Sequence, residues 1–473
     1  MAKRSLQSLI DQAGGAVSYA RSTKYHRRDV PAFSPPLIIP QVPYEFTGWE
    51  REQRAWRESV ALLDQSHHMQ AAIVKGPDAR SFLSHLACNN LEHANPSRAF
   101  QIICVSPEGD MIGDGILLQS EANEFAAVGP FILSWIRYQA EALDFDVQVE
   151  IDARSPTYGN GFANSRPECR YQLQGPLAWA LIERLNGGPI NDVPFFHVTE
   201  MRVAGIRMRA LRHGMAGTPG LEIWGPWERR GQIRDEILKV GEEFGIVEVG
   251  AGAYCSSGIE SGWFQGAMPG IYTSESTRAY REWLTDDALE AVHMLTGSRR
   301  SNRLDDYYRT PFDLGYGRFI HFDHDFIGRD ALRSKAKEPN LKKVTLAWNA
   351  DDAASLLKEM MLPEGRNLRM LHLPIVNDKI SVNYDTLTRQ GEDAGTAHYT
   401  AYLATERAML TLALVDEAVS VGDEVVIGWG EAGGGYGDYI MPATDVIPIR
   451  AIVSPAPYSR VAREEYRTNA VYA

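Results

Sequence analysis

One ten-residue device occurs twice in this chain. VKGPDARSFL begins at Val74 and LQGPLAWALI begins at Leu173. In each, an apolar strand runs into Gly-Pro and a helix follows. Proline suits that place because its φ is preset for the first helical turn and its missing N–H is not needed there. Leu177, Leu181 and Leu185 recur every fourth residue and give the second helix an apolar face. A hairpin follows each helix. The first pairs 113–119 with 125–128, and the second pairs 198–203 with 206–211 around Ala204-Gly205. The repetition points to two related α+β units.

A chain of 473 residues exceeds one ordinary core, so about two to four domains are expected. Residues 27–43 hold five prolines and should be extended. A helix is expected over 49–63, with Trp49, Trp56, Val60 and Leu63 on one face. Further helices are expected over 131–143, from about 229 to the stop at Gly245, and over 279–284 and 287–295. Strands are expected at 69–75, 146–151 and 171–174. After Lys342 the style changes. VTLAW, AMLTLALV, EVVIGW and VIPIRAIV are short strands between turn residues, which reads as a separate C-terminal β-domain.

Composition excludes several classes. The hydrophobic share of 44% and charged share of 23% are those of a globular protein. Lysine plus arginine is 48 against 61 acids, a net charge of −13, which argues against nucleic acid or an anionic membrane as partner. A local basic pocket for a small anion stays open. Four cysteines, with no CxxC pair, fit a reducing cytoplasm. The first residues carry no signal-peptide pattern, and no apolar run reaches the ~20 residues that span a bilayer.

Residues 249–264, VGAGAYCSSGIESGWF, combine four glycines, a phenol (Tyr254), an acid (Glu260) and an indole (Trp263). That mixture suits a wall around a flat, polar-edged ring, or else a glycine-rich connection with core aromatics. It is not a dinucleotide fingerprint: Cys255 stands where the third glycine belongs, and no strand–helix context is expected. Nor does GEAGGGYG at 430–437 have Walker spacing. His67 and His68 are adjacent, so on a strand they face opposite sides and at most one enters a given pocket. The cluster His321, Asp323, His324 and Asp325 has metal-ligand chemistry but no third group to complete a ligand set, so no metal is expected. Glu222 stands in the apolar strand of GTPGLEIWGP, either surface-exposed or poised for a bidentate contact to a ring N–H and its neighbouring amino group. There is no GxSxG elbow or HExxH.

Four of these segments, in order, resemble the folate-binding glycine-cleavage T-protein family: LLDQSHHMQAAIVKGPDARSFL, GTPGLEIWGP, ESGW and FDHDFIGRDAL. Within it, RHGMAGTPGLEIWGP, YREWL, KKVTLAWN and residues 452–459 are similar to the tetrahydrofolate-dependent aromatic O-demethylases. The resemblance implies an α+β three-domain ring with a C-terminal β-barrel or jelly-roll-like domain and folate in the central hole. It divides the chain into 1–64 with 165–255, 65–164 with 256–335, and 336–473. It implies tetrahydrofolate as methyl acceptor, a small aromatic acid as substrate, and an oligomeric state left open. It carries Gln101, Val128, Glu222 and Trp263 to the pterin site, Tyr254 to catalysis, and Gln65 and His68 to the aromatic pocket. Where vanillate-using members have a tyrosine and an arginine, this chain has Ile39 and Pro130, which would make room for the second methoxy group of syringate. Vanillate or 3-O-methylgallate is the alternative substrate, and a folate-dependent aminomethyltransferase is the alternative activity. The aspartate pair of the aminomethyltransferases reads Gly113-Asp114, against ammonia-releasing chemistry. The family's iron–sulfur assembly factors carry a cysteine motif where this chain has HDFIGR from His324, which argues against that role.

Overall fold

The computed structural model describes residues 4–21, 41–152, 168–191, 193–264, 267–375, 381–433 and 443–466. Three large sheets organise them. The first has six strands in the order Ile246–Val249, Val60–Asp64, Glu168–Gln174, Gly220–Pro226, Ile206–Leu211 and Val198–Val203. Helices Ala178–Asn186 and Arg230–Gly241 cover it, burying Leu181, Ile182, Ile233 and Ile237 against Leu173, Leu221 and Ile223. The second has five strands: Phe100–Val105, Met111–Glu121, Glu124–Val128, Ala71–Lys75 and Gln148–Asp152. Helices Ala79–Leu86 and Leu133–Ala142 pack on it through Phe82, Leu83, Leu86 and Ile136. The third sheet is a closed six-stranded barrel running from Lys342–Trp348 to Ile447–Ser454. Closure leaves no open strand edge there.

The repeated device is a real structural repeat. Gly76 and Gly175 sit at φ 139° and 136°, a region closed to most side chains. A Cβ at either would overlap a backbone carbonyl, that of Asp146 or of Ser59. Glycine is therefore what lets each strand pass close to a neighbouring chain before the helix begins.

Four local expectations differ from the structure. The helix over 49–63 stops at Glu58, and Val60–Asp64 is a strand. That strand lies between a parallel and an antiparallel neighbour, so its side chains are buried on both faces. A continuous apolar run of that kind has no periodicity to separate it from helix. The helix over 287–295 shrinks to Leu289–Val292, because Met294–Thr296 pairs with Ser381–Asn383, a distant partner. His67 and His68 lie in a turn, not on a strand, yet still meet different partners. Finally, residues 249–264 do have a strand–helix context: Ile246–Val249 leads through Gly250 into the helix Ala251–Ser261. The segment still differs from a dinucleotide fingerprint in its missing third glycine and in its next strand, Met294–Thr296, which joins another sheet and so completes no βαβ unit.

That helix is buried along its length except at Ser261. Its small residues allow this. Gly252 meets the ring of Tyr44, where a Cβ would come within 2.9 Å. The far side packs on the barrel strand Glu392–Leu403, where Tyr399 Oη donates to the Cys255 carbonyl. Glu260 is a framework acid. It accepts from Trp56 Nε1 at 3.1 Å and Thr405 Oγ1 at 2.9 Å, and pairs with Arg57. It thereby ties the helix Trp49–Glu58 to the barrel. No helix among the described residues is long and apolar enough to cross a membrane.

Candidate active site

The three sheets surround one cavity of about 1670 Å³. Tyr254, on the first buried turn of the helix Ala251–Ser261, lines it. Gln65 Nε2 donates to Tyr254 Oη at 3.2 Å, and His68 Nε2 lies 2.9 Å from the same oxygen. The imidazole stands edge-on to the phenol, with ring centroids 5.0 Å apart. Burial pushes the Tyr254 hydroxyl well above its ordinary pKa of 10. It is therefore a neutral O–H at working pH.

Gln65 is itself oriented. Its Nε2 also reaches Gln172 Oε1 at 3.4 Å, which accepts the Met215 backbone N–H, while Gln172 Nε2 donates to the His213 carbonyl. Backbone groups thus fix which end of each amide points at Tyr254. The oxygen of Tyr254 receives one hydrogen bond from Gln65 and keeps its own hydrogen for His68 or for a ligand.

Glu222 lies on the strand Gly220–Pro226 and is 1% exposed. Arg170 Nη1 is 2.5 Å from its Oε1, and His213 Nδ1 is 3.6 Å from its Oε2. Desolvation raises the carboxyl pKa, but the charge of Arg170 and the contact of His213 outweigh it and hold the value at about 2. Glu222 Oε2 and His213 Nδ1 are both buried without a hydrogen-bond partner. Unmet polar atoms on a cavity wall mark a place for a polar ligand. A bidentate contact would have to share Oε1 with Arg170.

The opposite wall comes from the second sheet. Gln101 Nε2 donates to Asp114 Oδ2 at 2.7 Å, and Tyr316 Oη donates to the same oxygen at 2.9 Å. Desolvation raises the Asp114 carboxyl to about 6, opposed by hydrogen bonds from Tyr316, Gln101 and Trp263 and by the charge of Lys343. Trp263 is 36% exposed, and its exposed ring lines the cavity with Val128. Although the chain is acidic overall, Arg98, Arg318 and Lys342 also line the cavity.

The structure thus brings Gln101, Val128, Glu222, Trp263, Tyr254, His68 and Pro130 to one cavity. Gln65 sits one layer back, fully buried behind Tyr254. Ile39 lies outside the described residues. Arg170, His213, Gln172 and Tyr316 were not singled out from the sequence. A signal existed for two of them: Arg170, Gln172 and Gln174 alternate along one strand, which places one polar face inside a buried sheet. His321 and the acids beside it form no group of three metal-ligating side chains among the described residues.

This fold and wall define a member of the GCVT family, to which the chain belongs: residues 12–267 match the GCVT N-terminal domain. The chain is similar over 98% of its length, at 36% identity and over 98% of the relative, to syringate O-demethylase of Sphingobium sp.. It is 24% identical to sesamin methylene transferase of Sinomonas sp., over 90% of this chain and 96% of that one. An aminomethyltransferase of Caldanaerobacter subterraneus is 27% identical over 64% of this chain and 69% of its own. In fold, the chain resembles the aminomethyltransferase T of Bartonella henselae, with a TM-score of 0.57, 18% identity, and coverage of 88% of this chain and 91% of that one.

Proposed function

We propose that the protein transfers the methyl group of a methoxylated aromatic acid, syringate foremost, to tetrahydrofolate, forming 3-O-methylgallate and 5-methyltetrahydrofolate. The observation that carries this reading is Tyr254: a buried, neutral phenol held between Gln65 and His68 on the wall of a cavity that also presents Glu222. Likeness to an O-demethylase over the whole chain supports the substrate class.

The residues present fit a pterin. Glu222 offers a buried, ionised acceptor with one oxygen unmet, Gln101 an oriented amide, and Trp263 a flat face. When bound, tetrahydrofolate supplies N5, the amine that takes the methyl as the ether C–O bond breaks and from which one proton is lost. The protein's share is to hold both reactants in line and to protonate the departing oxygen. A phenolate is a poor leaving group near neutral pH. Tyr254 Oη gives its proton to that oxygen and recovers one through His68, whose Nε2 already shares it. A placed proton donor contributes about 10²–10⁴-fold, and alignment of the reactants contributes more. We place the reaction in the cytoplasm. All four cysteines are buried and none is in a disulfide, as a reducing compartment favours.

The test is incubation with tetrahydrofolate and syringate, vanillate or 3-O-methylgallate, with the acid followed by mass spectrometry. Loss of one methyl, fastest from syringate and absent without tetrahydrofolate, is expected. Bound folate with no methyl loss from any of the three would overturn the reading.

A further inference from the structure

Beside the phenol-holding pair lies a polar group that the chemistry above leaves idle. Gln70 is 3% exposed, lines the cavity, and its side-chain amide has no hydrogen bond among the described residues. Burying an amide unpaired is costly, so a group kept this way at a ligand wall is one that a ligand completes. Its backbone is pinned: the Gln70 carbonyl accepts from Gly129 N–H at 3.3 Å, and the adjacent Ala71 pairs with Val128. Gln70 therefore shares a wall with Pro130, which carries no polar side-chain atom and cannot bind an anion itself. It is also two residues from His68, whose Nε2 lies 2.9 Å from the Tyr254 Oη that protonates the departing ether oxygen. Two residues of chain hold the two Cα atoms within about 7 Å of each other, close enough for one benzene ring bearing an ether oxygen and a meta carboxylate to meet both side chains.

We infer that Gln70 is the substrate's carboxylate ligand: its amide N–H donates to the carboxylate, which lies across the ring, meta to the ether oxygen held at Tyr254. This inference rests on the aromatic-acid reading above, and the experiment separates the two.

The wild-type protein, Gln70→Leu and Gln70→Glu are compared on syringate and on 2,6-dimethoxyphenol, the same ring without its carboxylate. Affinity is read by calorimetry and turnover by methyl transfer. A lost hydrogen bond to a charged group weakens binding about tenfold or more. Gln70→Leu should therefore weaken syringate by at least that factor, with kcat within twofold, and leave 2,6-dimethoxyphenol within twofold. Gln70→Glu should weaken syringate further, by charge repulsion, and again spare the phenol. Equal changes on both ligands, or none on either, overturn the assignment. Calorimetry reads this contrast even if wild-type protein transfers no methyl, an outcome that would count against the O-demethylase reading alone.

Discussion

Replacing Arg170 with methionine tests how the site keeps Glu222 charged. The two side chains are 8% and 1% exposed, and their nearest atoms are 2.5 Å apart. The Glu222 carboxyl falls from 4.5 to about 2. At about 1.4 kcal/mol per tenfold change in the proton equilibrium, that corresponds to about 3.5 kcal/mol. The folded pKa is depressed, so this stability is present above pH 4.5 and is lost as pH falls through 2. Removing Arg170 leaves a buried carboxylate whose desolvation only His213 opposes, at a cost of about 3–5 kcal/mol near pH 7. Glu222 then titrates above its ordinary value and spends more of its time protonated. An acceptor that has become a donor no longer suits the ring N–H of a pterin, and loss of that contact weakens binding by about 10–150-fold. Calorimetry of tetrahydrofolate from pH 7 to 9, above the titration of Asp114, should show flat affinity for wild type. Arg170→Met should be weakest at pH 7 and recover as pH rises. The pair Arg170→Met with Glu222→Gln should regain stability, since no bare charge remains, but not affinity. A single variant with wild-type affinity at every pH would refute the reasoning.

Two further outcomes follow from the same geometry. Tyr254→Phe keeps the ring and removes the proton donor, so kcat should fall about 10²–10⁴-fold while folate affinity is unchanged; rapid-quench turnover beside calorimetry checks both. Asp114 titrates near 6 in the folded protein, above its ordinary 3.8, so its ionised form costs stability once pH has risen through 6 and costs none below 3.8. Asp114→Asn should therefore be the more stable protein at pH 8, by up to about 3 kcal/mol, with the difference vanishing by pH 4 in denaturant titrations.

How much of this was legible in the sequence depends on whether the deciding contact was local. The Gly-Pro devices at Gly76 and Gly175 were legible because a turn that needs a positive φ writes itself in residue type. The barrel strands after Lys342 were legible because alternation and turn residues are local signals. Val60–Asp64 was not, since its strand character comes from partners at Ile246 and Gln172, far along the chain. At the site, Tyr254, Glu222 and Trp263 were nameable from chemistry and family likeness. Arg170 and Gln172 were harder, because each matters through the neighbour it orients rather than through its own chemistry. The segment 249–264 shows both sides. Its small residues signalled close approach, but that the object approached was Tyr44 on one side and the barrel on the other is a tertiary fact.

The central claim is that the aromatic ether's own methyl group passes directly to tetrahydrofolate while Tyr254 protonates the departing oxygen. Syringate bearing deuterated methoxy groups, in a single turnover with excess enzyme and tetrahydrofolate, tests it most directly. The account expects one intact trideuteromethyl group in 5-methyltetrahydrofolate for each 3-O-methylgallate formed by wild type, and almost none in the same time with Tyr254→Phe. Unlabelled 5-methyltetrahydrofolate, label released as a free one-carbon compound, or full transfer by Tyr254→Phe would contradict it.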